Sequence, residues 1–149
     1  MNNLLTDVEI RRILTRNTGT PQTIDCTIVD MAGFDEVTFL AQFQTVVNDA
    51  IVTMRVGQFT ASVSGSMVVS EATLGAITSD GTTIALSNKM LALTVTKPKY
   101  RYLELQLVIA DQNAPIDSVI AILSKARKRP TTQGATVIDS AIFESPGAA

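Results

Sequence analysis

The run EVTFLAQFQTVVNDAIVTMRVG, Glu36 to Gly57, alternates apolar and polar side chains twice, with one break between. In its first half Val37, Phe39, Ala41 and Phe43 fall on one side of a pleated strand. Glu36, Thr38, Gln42 and Gln44 fall on the other, with Leu40 the exception. In the second half Val52, Met54 and Val56 form the inward set, with Thr53 and Arg55 outward. Asn48-Asp49 lies between the two runs, a pair that tolerates the positive φ of a tight turn. The expectation is two strands joined as a β-hairpin across Val37–Val56.

The same period of two recurs outward from this run. TIDCTIV places Ile24, Cys26 and Ile28 on one face, and MLALTVT buries Leu91, Leu93 and Val95. In KPKYRYLELQL, Lys97–Leu107, Pro98 marks a strand entry because it cannot donate to a ladder. From there Leu103, Leu105, Leu107 and Ile109 line the core, while Tyr102, Glu104 and Gln106 face outward. Near the start, Val8, Ile10 and Leu14 share a face with Arg12 as a weaker strand. PIDSVIAILSKARKRP is ambiguous: Ile116, Val119, Ile120 and Leu123 have helical spacing after Pro115. The short, β-branched SVIAIL is nevertheless apolar on both faces, as a central strand would be, and its β surroundings favour strand. Gly33, Asp80-Gly81 and Asn113–Pro115 carry turn chemistry, and Gly57–Gly75 reads as a long loop or a short irregular strand pair.

Val, Ile and Thr together number 46 of 149 residues, and these types favour pleated, half-buried surfaces. The fold expected is all-β: a β-sandwich or jelly roll of about eight to ten short antiparallel strands with extended N- and C-terminal arms. One domain over residues 1–130 is followed by a tail over 131–149. There Val137, Ala141 and Phe143 alternate with Ile138 and Ile142, a pattern that can add a strand to a neighbour.

Composition narrows function by exclusion. The 46% apolar and 17% charged residues describe a folded chain, whose surface is either partly covered by partners or built from Thr, Ser, Asn and Gln. A net charge of −2 offers no global attraction to nucleic acid or anionic membrane. The single Cys26 excludes an intrachain disulfide and a multi-cysteine metal site, and reads as a small core residue. Without histidine the chain lacks the commonest metal ligand and general base. No phosphate loop, dinucleotide fingerprint, zinc motif or calcium loop is present. Asp35-Glu36 is the one adjacent carboxylate pair, and neighbours on a strand point to opposite faces. The chain does not read as an enzyme, and no cofactor is expected. No apolar run approaches the roughly 20 residues of a membrane helix. MNNLLTDVEIRR lacks the basic start and apolar core of a signal peptide, which places the chain in a cytoplasm or in a particle assembled there.

Two basic groups remain as candidate docking surfaces. The first is Lys97, Lys99 and Arg101 interleaved with Tyr100 and Tyr102, a pattern that can stack bases and hold phosphates. A strand opening built for the fold accounts for it better. The second is KARKRP, Lys125 to Pro130, in which Lys125, Arg127, Lys128 and Arg129 place four positive charges in five residues. It reads equally as a solvated strand end and as a docking patch for an acidic surface.

The ordered set VDMAGFDEVTFLAQF, KPKYRYLELQLVI, NAPIDSVIAIL and ARKRP resembles a family of small tailed-bacteriophage virion proteins encoded beside the major capsid protein. The likeness covers roughly Thr23–Phe39 and Leu91–Pro146, and ends on Ser145-Pro146; Gly57–Ile84 matches poorly, which leaves the strand count there open. Many such proteins decorate or cement the capsid, and the resemblance implies that role here. The implied partners are the major capsid protein and further copies of the chain, as a homodimer or trimer, with neither membrane nor nucleic acid. Implied too are synthesis in the host bacterial cytoplasm and a place on the outer surface of the virion. The arms Met1–Thr6 and Thr131–Ala149 would clasp neighbours by strand addition. A head–tail connector or tail component is the alternative within the same particle, and a nucleic-acid-binding module the least favoured reading.

Overall fold

The computed structural model describes residues 4–47, 49–60, 69–72, 87–133, 135–138 and 140–141, with 69–72 described as backbone. A helical turn, α1 (Leu4–Asp7), precedes nine strands among the described residues. They are β1 (Glu9–Leu14), β2 (Gln22–Asp25), β3 (Val29–Asp30), β4 (Phe34–Phe43), β5 (Ile51–Phe59), β6 (Val69–Ala72), β7 (Met90–Thr96), β8 (Tyr102–Ala110) and β9 (Ile116–Ala126). One sheet runs β1-β9-β4-β7 and the other β2-β8-β5-β6, with β3 extending β2's place along β8. Every pairing is antiparallel. The two sheets close on one hydrophobic cluster, to which β4 gives Val37, Phe39 and Ala41, and β8 gives Leu103, Leu105 and Leu107. The all-β sandwich expected from periodicity is therefore the fold.

The inward faces named for β4, β5, β8 and β9 hold: Val37 to Phe43, Val52 to Val56, Leu103 to Ile109 and Leu123 are buried at alternate positions. On β7, Leu91 and Leu93 are buried, and Val95 packs half-buried against the same cluster. The ambiguous PIDSVIAIL segment is a strand, β9, seated between β1 and β4. That central place explains its two apolar faces, since Ile120 and Ile122 are half-buried on its outer side.

The Val37–Val56 hairpin does not form. β4 pairs with β7 and β9, and β5 with β8 and β6, so the two runs lie in opposite sheets. Their linker is tied down rather than turned tightly. Val46 and Ala50 are buried in it, its Gln44 and Val47 N–H groups donate to Pro115 and Asn113 carbonyls, and Val46 N–H donates to the Ser87 hydroxyl. Asp49 does adopt a positive φ of 69°, but within this crossing link. Two apolar faces that must meet each other across a core favour such an arch over a hairpin, which would turn both faces the same way.

Three smaller expectations are corrected. Ile28 is not inward: the strand breaks between β2 and β3, alternation slips by one, and Val29 takes the buried place. In β1 the face is reversed, because Glu9 and Arg11 pair with the inward Leu123 and Ala121, while Ile10 and Arg12 pair with the outer Ile122 and Ile120. An irregularity between Arg12 and Leu14 then buries Ile13. Glu104 has outward parity yet is only 1% exposed. It pairs with Gly57, and both Gly57 and Phe59 are buried there too, Phe59 outside the main core cluster. This part of the outer face is closed over.

Within Gly57–Gly75, Gly57–Phe59 complete β5 and Val69–Ala72 return along it as β6. The rest of that region, the Asp80-Gly81 turn, Met1–Asn3 and the tail alternation at Ile142 and Phe143 lie outside the described residues. Residues 131–133 and Thr136 run along the outer edge of β1. Ile10 N–H donates to Gln133 Oε1 (2.9 Å) and Arg12 N–H to Thr136 Oγ1 (3.0 Å). The Val8 carbonyl accepts from Thr131 Oγ1 and Gln133 Nε2. Among the described residues, side chains close this edge.

A candidate docking surface at one end of the sandwich

The topology decides which loops meet. β3–β4, β7–β8 and the end of β9 all fall at the same end of the strands, since β4, β7 and β9 run alternately up and down. The Met31–Asp35 turn, the Lys97–Arg101 loop and Lys125–Pro130 therefore form one surface, although they are far apart in sequence. Backbone bonds stitch them. Met31 N–H donates to the Arg101 carbonyl (2.8 Å), Lys97 N–H to that of Asp35 (2.7 Å), and Arg127 N–H to that of Gly33 (2.9 Å).

Each loop is also fixed internally. Phe34 N–H donates to the Met31 carbonyl across a four-residue turn, where Gly33 takes φ +86°. Glycine meets that requirement without cost, as at the third position of a type II turn. Asp30 Oδ1 accepts from Ala32 N–H (3.0 Å). The Gln58 side-chain oxygen accepts from both Lys99 and Tyr100 N–H groups (2.7 and 3.1 Å), which holds the Lys97–Arg101 loop on the end of β5. Lys97 itself adopts φ 48°, which turns the chain sharply out of β7.

The two basic groups singled out in the sequence thus belong to one surface, and most of their charge is internally paired. Arg101 grips Asp30 through two nitrogens, and Arg127 meets Asp35 Oδ1 at 2.8 Å. Lys125 meets Glu36 at 2.9 Å and Arg129 meets Asp7 at 3.4 Å. The adjacent Asp35 and Glu36 serve different cations, as opposite strand faces require. The hydrogen bonds from Arg101 hold the Asp30 carboxyl below its ordinary range, and the pair raises Arg101 in turn. Among the described residues Lys97, Lys99 and Lys128 have no carboxylate partner. With Glu9, which lines the second hollow, seven cations stand against five carboxylates, which leaves this end positive in a chain that is negative overall. Tyr100 and Tyr102 carry Lys99 and Arg101 over their rings at 5.5 and 5.2 Å, so each has one face already engaged by its neighbour.

The surface is grooved. A hollow of about 570 Å³ lies between the Met31–Asp35 turn and the Lys97–Arg101 loop. A second of about 410 Å³ lies toward Lys128 and Pro130, and the two share Ala32, Gly33, Phe34 and Arg127. The cations were legible in the sequence; the carboxylates that pair with them were not. The available signal was Asp35-Glu36 inside the turn-bearing segment MAGFDE.

Elsewhere the chemistry is sparse. Cys26 is buried, and burial together with the charges of Glu104 and Asp25 pushes its thiol up to about 12. Among the described residues no three metal-ligating side chains gather, and no helix is long and apolar enough to cross a membrane. Compared with protein-family models and with curated proteins, the sequence finds no match.

Proposed function

We propose that this chain is a capsid decoration protein that binds the outer surface of an icosahedral phage head and stabilises the shell. It acts as a homodimer or trimer bridging neighbouring copies of the major capsid protein, is made in the host cytoplasm and ends on the virion. The observation that carries this reading is a convergence. Three of the four segments on which the resemblance rests, MAGFDE within the first, KPKYRYL and ARKRP, meet at one end of the sandwich and are stitched there by backbone bonds. Segments that define a likeness and also share one surface suit recognition of a common partner. A rigid two-sheet core carrying a preorganised loop surface loses little freedom on docking. Many modest contacts repeated over a closed lattice then add up to a large stabilisation.

The test is to mix the purified chain with expanded, empty shells of the phage that encodes it and to sediment them. Near-stoichiometric occupancy, in hundreds of copies per particle, is the expected result. Absence of the chain from the pellet in every expansion state would sink the reading, and a dozen copies or fewer would move it to a connector.

A further inference from the structure

We propose that the paired hollows at this end form one binding groove for an extended acidic segment of a partner polypeptide. The inference deepens the decoration reading and rests on it only for the source of that segment, an acidic stretch of the shell protein.

Charge and shape support it together. Lys99 and Lys97 stand on one wall of the first hollow, Lys128 borders the second, and none of the three has a carboxylate partner among the described residues. Arg127 lies in both hollows and links them. Its Nε and a terminal nitrogen both approach the same Asp35 oxygen, at 3.2 and 2.8 Å, which leaves the remaining guanidinium donors for another acceptor. The floor is open: a Cβ placed on Gly33 would meet nothing within 4 Å. Phe34, half-buried between the hollows, supplies apolar contact beside the cations. Backbone bonds fix all three walls before any partner arrives, so ordering costs fall mainly on the incoming segment.

Carboxylates on a polypeptide suit this groove better than the phosphates of nucleic acid. Asp30, Asp35 and Glu36 sit among the cations, Glu9 lines the second hollow, and together they would repel a uniformly charged phosphate backbone. Both tyrosine rings have a face taken by a neighbouring cation, which weakens them as stacking platforms. A segment with spaced acidic side chains can place each charge on a free cation and avoid the resident carboxylates.

The experiment measures binding of a synthetic peptide whose glutamates are spaced by serine and glycine, at low salt by fluorescence anisotropy, beside a single-stranded oligothymidylate of equal formal charge. The wild-type chain is expected to prefer the peptide. The double variant Lys99→Glu/Lys128→Glu should bind it about tenfold more weakly, and single Lys99→Glu several-fold more weakly. Lys89→Glu, which alters an exposed lysine at the opposite end, should leave binding unchanged. Circular dichroism confirms that each variant is folded. Equal weakening by Lys89→Glu, tighter binding of oligothymidylate, or no peptide binding would each overturn the groove. Shell sedimentation of the same proteins separates the two proposals. If the double variant loses the peptide yet occupies shells like wild type, the shell protein is not the source of the segment and decoration stands; if wild type binds peptide but no shell, decoration fails and the groove stands.

Discussion

Arg101 holds Asp30 by both carboxylate oxygens, Nε meeting Oδ1 at 2.8 Å and a terminal nitrogen meeting Oδ2 at 2.9 Å. The contact ties the start of β8 to the end of β3, one residue from the backbone pairing of Asp30 with Tyr102. Because the hydrogen bonds from Arg101 depress the carboxyl, its folded pKa lies below the unfolded value of about 3.9. The stabilisation is therefore present above that unfolded value and is lost as pH falls through the folded one. Asp30→Asn should lower stability slightly near neutrality, because both groups are partly exposed, and should converge with wild type as the carboxyl protonates, so the acid side of its profile is shallower. Urea midpoints measured from about pH 6 down to about pH 2 check this. Identical acid slopes would show that the pair carries no titratable stability.

Gly19 is less replaceable than Gly33. Its φ is +64°, and a Cβ there would fall 1.9 Å from the Ala114 carbonyl oxygen. The close approach is built in, since Ala114 N–H donates to the Gly19 carbonyl and Gly19 N–H to Asn17 Oδ1. Gly19→Ala should cost roughly 2–4 kcal/mol, combining left-handed backbone strain with an overpacked contact. Gly33→Ala should cost less, because only the backbone term applies. Thermal unfolding of the two variants decides the order.

Cys26 should behave as an inert core thiol. With its pKa pushed up to about 12, thiolate is scarce at neutral pH, and burial blocks access. Iodoacetamide should leave the folded chain unmodified over hours at about pH 8 and alkylate it rapidly in guanidinium. The raised folded pKa also fixes the alkaline behaviour: the contribution is intact below the unfolded value of about 8.5 and lost as pH rises toward the folded one. Rapid alkylation without denaturant would contradict the buried placement.

Gln133 ties residues 131–133 to α1 and the outer edge of β1 through three partners: Ile10 N–H, the Val8 carbonyl and the Leu5 carbonyl. Gln133→Ala should cost about 1–2 kcal/mol and speed amide exchange at Ile10 selectively. Ending the chain after Pro130 should go further and produce concentration-dependent association, because bare strand edges pair with other chains. Light scattering across a dilution series reads the second outcome, and a monomeric truncated chain would show the edge to be protected by other means.

What could be read from sequence divides along a physical line. Alternation is a property of a single strand, so Val37–Phe43, Val52–Val56 and Leu103–Ile109 announced their inward faces. Partner choice is a property of the assembled sheets, and nothing within Val37–Val56 says that its halves belong to opposite layers. Parity tells which side a residue takes but not what covers that side, which is why Glu104 was placed outward and found buried. At Ile28 a break resets the parity, and at β1 an edge position lets the Glu9–Arg11 pair occupy inward sites that a central strand would give to apolar residues. The docking surface was half legible: its cations stand in two visible clusters, while their meeting at one end follows from strand order alone.

The crossing connections described above also bear on how the chain acquires its structure. β4 leads to β5, β7 to β8 and β8 to β9 by passing from one layer to the other, so successive strands rarely become partners. Among the described strands β1 pairs with β9 alone, and β9 starts at Ile116. A nascent chain that has reached Pro115 therefore carries an N-terminal strand with no mate and one side of β4 unpaired. High sequence separation between partners slows folding, and here it postpones closure of a whole layer until β9 has been made. The nascent polypeptide must keep the apolar strands of this layer apart until β9 emerges, and the layer then closes in a single step.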